Sequence, residues 1–220
     1  MIDLSEILEN DILWQMSSAE RASIFYLISK LENKGTAIEI GSYKGGSLRV
    51  LSRFFKKVYS LDVNHDNIVN KEQYGNVKWV KGDSKKTLPA LIKRLNKSKE
   101  SVNLILIDGD HSYEGVLKDI ESVLEYKPID QTILLIHDSW FRPSRDAISK
   151  ADWNSNPHVR LVEKDLVTGD LMSSGNGNIF VGGLALVIMT VEQRTGAIEI
   201  GQACDYMFRV CAEKIKGEST

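Results

Sequence analysis

The chain has 220 residues, 42% hydrophobic and 26% charged, which suits one globular domain with a real core. A formal net charge of -2 argues against a nucleic-acid binder driven by phosphate neutralisation, and the nearest thing to a basic patch, Lys85 to Lys99, reads as a solvated helix face. The start, Met1-Ile2-Asp3-Leu4-Ser5-Glu6, lacks the basic and apolar regions of a signal peptide, and the longest apolar stretch, Leu184 to Thr190, is too short to cross a bilayer, so a cytoplasmic protein with no nucleic-acid or membrane partner is expected.

Ile2 to Met16 carries Ile7, Leu8, Ile12, Leu13 and Trp14 at roughly helical spacing. Ser17-Ser18-Ala19-Glu20 offers a capping box for a second helix reaching about Asn33, with Ile24, Leu27, Ile28 and Leu31 as its core stripe and Gly35 as its stop. Residues 1–35 are thus a helical cover, able to lie over a sheet edge or a cleft mouth. From Thr36 short apolar runs alternate with helical patterns. The runs are Ala37–Ile40, Val58–Leu61, Val77–Val80, Leu104–Ile107 and Ile133–Ile136; the helical patterns are Leu48–Phe55, Leu88–Leu95 and Val116–Tyr126, with Pro89 read as a first-turn proline. This alternation predicts an α/β fold, a doubly wound and mostly parallel sheet with helices on both faces. Such sheets bind ligands beyond the carboxyl ends of their strands, so the residues just after each run matter most.

After the first run comes Glu39-Ile40-Gly41-Ser42-Tyr43-Lys44-Gly45-Gly46-Ser47. A glycine-rich strand-to-helix turn lets backbone approach a ligand and aims the N–H groups of a helix start into the cleft. Asp62 ends the next run, where an acid is placed to accept hydrogen bonds from ribose hydroxyls. The spacing is not that of a dinucleotide fingerprint: its second glycine is Tyr43 here, and Lys44 precedes the glycine pair, unlike a Walker loop. The turn and its following acid resemble the S-adenosylmethionine site of class I methyltransferases. That resemblance implies a Rossmann-like methyltransferase fold over residues 1–220, with residues 36–140 as the cofactor-binding core. It implies cofactor contacts from Glu39, Gly41, Ser42, Tyr43, Gly45, Gly46, Ser47 and Asp62. Asp83 and Ser84, after the third run, either meet the adenine amino group or cap the following helix.

The fourth and fifth runs end in Asp108-Gly109-Asp110-His111-Ser112-Tyr113-Glu114-Gly115 and His137-Asp138-Ser139-Trp140. Two of the chain's four histidines stand there among carboxylates. Paired carboxylates at adjacent strand ends repel unless a cation sits between them, which points to a divalent metal; helix and turn capping explains single acids but not the set. These segments, with the glycine turn, resemble the family of macrocin O-methyltransferase, methyltransferase family 24, over roughly residues 36–140. The resemblance implies a cofactor contact and metal ligation by Asp108, metal ligation by Asp138, and a general base in His111. His137 stands where the family has an acid. Mg²⁺ prefers oxygen ligands and imidazole suits Mn²⁺, Fe²⁺ or Zn²⁺, so His137 is a weaker ligand, a selector of another metal, or an orienting group.

Beyond Trp140 the rhythm breaks. A short helix is expected within Phe141–Asn156, a strand at Val159–Leu166, a lid-like mobile loop over Leu171–Gly183, a strand at Leu184–Thr190 and a terminal helix over Ala203–Lys216. Residues 141–220 are read as the acceptor side. Tyr43, Trp140 and Phe141 are candidate cleft aromatics, and Arg142 and Arg145 are candidate contacts for an anionic acceptor. Cys204 and Cys211 read as buried reduced thiols on one helix face. Ala197–Gly201 repeats Ala37–Gly41 without the glycine pair and is taken as coincidence. The expected activity is S-adenosylmethionine-dependent, metal-assisted O-methylation of a small molecule such as a sugar. The rivals are an NAD(P)-dependent oxidoreductase and an inactive donor-binding protein. The N-terminal helix and Leu184–Thr190 are expected to pack either at the interface of a homo-oligomer or within the monomer.

Overall fold

The computed structural model of the chain describes residues 13–174 and 177–217. Most of the expected Ile2–Met16 helix, and the glycine-asparagine pair at 175–176, lie outside the described residues. Helix α1 spans Ser18–Lys30. Ser17 caps it through the expected reciprocal box: its hydroxyl accepts the Glu20 N–H at 3.3 Å, and Glu20 Oε2 accepts the Ser17 N–H at 2.5 Å. The helix ends at an extended Leu31, earlier than the sequence suggests. Gly35 is not its stop; its N–H donates instead to Asn103 Oδ1 at 2.8 Å at the entry to the sheet.

The sheet strands are β1 (Thr36–Ile40), β2 (Lys57–Asp62), β3 (Val77–Lys81), β4 (Val102–Ile107), β5 (Thr132–His137) and β6 (Val159–Val167). Asp170–Ser174 and Gly177–Val181 form β7 and β8, Leu184–Met189 forms β9, and Ile200–Gly201 forms β10. The main sheet runs β10-β6-β9-β5-β4-β1-β2-β3. Every pairing in it is parallel except those of β9, which is antiparallel to β5 and β6. Strands β1, β4 and β5 are buried at every residue, which explains why they read as unbroken apolar runs rather than alternating ones.

Helices α2 (Gly46–Phe54), α3 (Ser84–Ser98), α4 (Tyr113–Leu124) and α5 (Arg142–Lys150) join α1 around the sheet, and α6 spans Asp205–Gly217. Ile24, Phe25 and Ile28 of α1, with Leu48 and Leu51 of α2, bury one face over Leu104, Leu106 and Leu135. Leu88, Ile92, Ile120, Val123 and Ile148 bury the other over Ile38, Ile105, Leu134 and Ile136. The chain leaves β1 toward β2 on one side and β4 toward β5 on the other, so the β1/β4 border is a topological switch point.

Several local expectations change. Between β2 and β3 only a short 3₁₀ turn, Lys71–Gln73, is found. Helix α3 starts at Ser84, so Pro89 lies inside it rather than in its first turn. The expected loop over Leu171–Gly183 is instead the β7–β8 hairpin, registered Asp170↔Val181 to Ser174↔Gly177. Cys204 precedes α6 rather than sharing its face, and both free cysteines are partly exposed. Among the described residues no helix is long and apolar enough to cross a membrane.

Candidate active site

A cleft of about 1080 Å³ opens at the carboxyl ends of β1 to β5, beside the switch point. Its wall includes Gly41 and Tyr43 of the glycine turn, Asp62, Asp83 and Ser84, and the cluster of Asp108, His111, His137 and Asp138. The volume is at the upper end of small-molecule sites and leaves room for a nucleoside donor and an acceptor together.

The glycine turn is built for chain packing more than for ligand approach. Gly41 has φ +85°, and a side chain there would overlap the Asp108 carbonyl, so glycine is what lets the β1 and β4 tips cross. A Cβ on Gly46 would lie 2.5 Å from the Trp14 Cβ. Gly46 and Ser47 are buried, and the cleft wall at this turn is formed by Gly41 and Tyr43. Ser42 and Tyr43 donate their N–H groups to Asp62 Oδ2 at 2.9 and 3.0 Å, and Asn64 N–H reaches Asp62 Oδ1 at 2.9 Å. Asp62 therefore first holds the turn. A carboxylate has about four acceptor sites, so capacity for a further hydroxyl remains.

Glu39 is fully buried and does not line the cleft. It accepts from Ser42 Oγ at 2.5 Å and Ser47 Oγ at 2.6 Å. Burial, only partly offset by these hydroxyls, pushes its carboxyl up to about 7. Glu39, Ser42 and Ser47 thus brace the turn from beneath. Asp83 caps α3 by accepting the Lys85 N–H at 2.9 Å while still lining the cleft, so its two sequence readings coexist.

The parallel register Ile107↔Ile136 sets His137 beside Asp108. His137 Nδ1 lies 2.8 Å from Asp108 Oδ1. Asp138 adopts φ +55°, rare for a non-glycine residue and a common mark of functional sites. Its Oδ1 accepts the Gly182 N–H at 2.5 Å, and its Oδ2 lies 3.0 Å from His111 Nδ1. His111 Nε2 is 3.4 Å from Asp108 Oδ1, so His111 stands between two carboxylates on the cleft wall.

The sequence did not single out Glu20 as a site residue, because its capping role accounted for it. Its second oxygen, Oε1, accepts the Gly183 N–H at 2.6 Å and lies 3.2 Å from His137 Nε2, off the line of an ideal hydrogen bond. Burial opposes charge on His137, but Asp108, Glu20 and Asp138 outweigh it and push the imidazole up to about 11. The hydrogen bond to Asp108 raises His111 against the pull of burial. Burial works to raise Asp108, yet His137 and His111 hold it below its usual value.

Asp108, His137 and Asp138 each offer one ligand atom, all within 4.8 Å of one another. Two carboxylates and an imidazole fit a divalent first-row ion, and the buried His137 Nε2 has a carboxylate in reach to accept its proton. Asp110 is not part of this set. It pairs with Lys85 at 3.0 Å and accepts the Ser112 N–H at 3.0 Å. Arg145 is buried against Asp165 at 2.8 Å, and Arg142 pairs with Asp146 at 2.9 Å on the surface, so neither arginine reaches the cleft. Trp140 is core, edge-on to Phe180 and Phe208; of the three candidate aromatics only Tyr43 lines the cleft.

Residues 38–139 match a family described as a methyltransferase domain. Among curated proteins none matches the sequence. Among solved structures, a candidate methyltransferase from Streptococcus mutans in complex with SAH has a TM-score of 0.53 at 16% identity, over 80% of this chain and 99% of that one. A candidate O-methyltransferase from Klebsiella pneumoniae has a TM-score of 0.53 at 16% identity, over 85% of this chain and 87% of its own. A candidate hemolysin from Streptococcus thermophilus has a TM-score of 0.56 at 15% identity, over 94% and 77%. At these identities the likeness is one of fold.

Proposed function

We propose that the chain, whose residues 38–139 match a methyltransferase domain, transfers a methyl group from S-adenosylmethionine to a hydroxyl of a sugar or other small molecule. The observation that carries this is a cleft whose wall holds both Asp62 and His111, the latter between Asp108 and Asp138. When bound, the donor supplies an electrophilic methyl on a sulfonium. Carboxylates outnumber basic groups on the cleft wall, Glu20, Asp62, Asp83, Asp108, Asp110, Asp138 and Asp170 against Lys85, His111 and His137, which favours a cationic donor. They disfavour the pyrophosphate of a dinucleotide, whose usual N–H partners in the turn are taken by Asp62. This weighs against an oxidoreductase on the same fold.

Asp62 and Asp83 are placed to receive the ribose hydroxyls and the adenine amino group. The remaining wall holds the acceptor oxygen in line with the methyl carbon, which removes an entropic barrier. As the oxygen–carbon bond forms and the sulfur–carbon bond breaks, the hydroxyl proton passes to the His111 imidazole. A divalent ion held by Asp108, His137 and Asp138 would supply the Lewis acidity that makes a hydroxyl easier to deprotonate. We place the reaction in the cytoplasm, on a small-molecule acceptor, with neither nucleic acid nor membrane as partner. Calorimetry with S-adenosylhomocysteine and with NAD tests the reading. Binding of the first alone, followed by donor turnover on a panel of hydroxyl acceptors, is the expected result. Binding of NAD alone would overturn it, and donor binding without turnover on any acceptor would favour an inactive binding protein.

A further inference from the structure

Glu20 comes from outside the matched domain, 163 positions in the chain from the Gly183 N–H that it accepts at 2.6 Å. Its two oxygens do different work. Oε2 closes the cap of α1, and Oε1 turns inward to Gly183 and to His137 Nε2, at 3.2 Å. Both partners are buried, with side chains 3% and 6% exposed, so this is not a surface ion pair whose strength water would erase. On its other side His137 points Nδ1 at Asp108 Oδ1, 2.8 Å away, and at Asp138 Oδ2, 3.6 Å away. One imidazole nitrogen thus faces the two candidate oxygen ligands, while the other faces a carboxylate from a different element. A histidine that ligates a metal through one nitrogen commonly donates the other N–H to a carboxylate, which sets its tautomer and raises its basicity.

We propose that Glu20 is a positioning residue that holds the proton of His137 on Nε2, presents Nδ1 to a divalent ion shared with Asp108 and Asp138, and thereby favours Mn²⁺ or a similar first-row ion over Mg²⁺. The inference rests on the metal-assisted reading above and names a residue and an ion class for it. The preference follows from the donor set, since Mg²⁺ favours all-oxygen surroundings and imidazole suits transition ions. It also gives α1 a role in the site, because the helix start and the ion share one carboxylate.

Glu20→Gln is the discriminating variant, because glutamine keeps the side-chain length and one oxygen for the capping box, while its NH2 at the other position accepts neither the His137 nor the Gly183 proton. Its circular dichroism and unfolding midpoint report whether the fold is kept. Mn²⁺ binding is read by electron paramagnetic resonance without donor or acceptor. The wild-type protein is expected to bind Mn²⁺ with nitrogen coupling from an imidazole, to lose that coupling in His137→Ala, and to release Mn²⁺ on addition of comparable Mg²⁺ only weakly. Glu20→Gln is expected to bind Mn²⁺ about 10–100-fold more weakly. Equal Mn²⁺ affinity in folded Glu20→Gln, bound Mn²⁺ without nitrogen coupling, or no bound Mn²⁺ in the wild type would each overturn the proposal. Calorimetry of the wild type with S-adenosylhomocysteine, run in parallel, tells whether the methyl-transfer reading survives on its own.

Discussion

His111 illustrates what residue type and position at a strand end reveal, and what they leave out. A histidine three places after an acid at the fourth strand tip is visible in sequence. The closing contact with Asp138 depends on a positive φ that no pattern announces. His111→Ala should lower kcat by about 10²–10⁴-fold, the usual worth of a positioned proton acceptor, with S-adenosylhomocysteine affinity unchanged by calorimetry. Equal losses in both would remove it from the chemistry. Glu39 shows the opposite case, a residue whose type suggested a ligand contact and whose depth makes it a brace. Below pH 4.5 it is protonated in folded and unfolded chains alike. From there to about 7 the unfolded chain ionises while the folded one keeps its proton, so the folded state binds more protons and stability falls as pH rises. Glu39→Gln is therefore predicted to gain on the wild type by about 3 kcal/mol between pH 4.5 and pH 8 in urea unfolding. A difference that stays flat with pH would show that Glu39 ionises freely in place.

At the scale of elements, α1 and the β7–β8 hairpin are the pieces that complete the site, and they were unequally legible. The cap of α1 was readable because it depends on neighbours three residues apart. The hairpin was hidden because serine, glycine and asparagine at its tip outweigh the short apolar stretches Leu171-Met172 and Ile179-Phe180-Val181 that pair across it. Its exit is the Gly182-Gly183 pair. Gly182 donates to Asp138 and accepts from the Trp140 N–H at 3.0 Å, while Gly183 donates to Glu20 and accepts from the Ser139 N–H at 3.3 Å. Two adjacent peptides thus anchor two acids of the site. Gly183 has φ +85°, and a Cβ there would lie 2.9 Å from both Ser139 Oγ and Trp140 Cδ1. Gly183→Ala should cost about 1–3 kcal/mol in urea unfolding and lower turnover with it, because relieving the clash moves the donors away from Asp138 and Glu20. Wild-type stability in that variant would mean the turn relaxes without strain.

Across the whole molecule, the parallel half of the sheet was legible because each βα unit carries its own apolar run and helical pattern. In the C-terminal half the strands at Val159 and Leu184 and the helices after Phe141 and Ala203 were legible too, but their place in the sheet was not, because what joins them to it lies between residues distant in sequence. Asp165 of β6, its side chain fully buried, accepts from Arg145 at 2.8 Å, from Trp140 Nε1 at 3.1 Å and from the Cys204 N–H at 3.0 Å. Arg145 also stacks its guanidinium 4.5 Å from the Phe208 ring centroid, and Phe208 packs on Phe180 of β8. One ion pair therefore ties α5, β6, the start of α6 and the hairpin beside the cleft into a unit. Its charges gain much of their value from each other, since a lone buried charge is far worse than none. Arg145→Ala, which leaves Asp165 without its charge partner, should cost about 3–5 kcal/mol, whereas Arg145→Met with Asp165→Leu should recover part of that loss, the remainder reflecting the Trp140 Nε1 and Cys204 N–H donors left without Asp165. In a chain of this size the single variant should lower the thermal midpoint by roughly 10 °C, at 2–4 °C per kcal/mol. If the double variant proves as unstable as the single one, the C-terminal half is held by the shape of the aromatic cluster and not by removal of an unpaired charge.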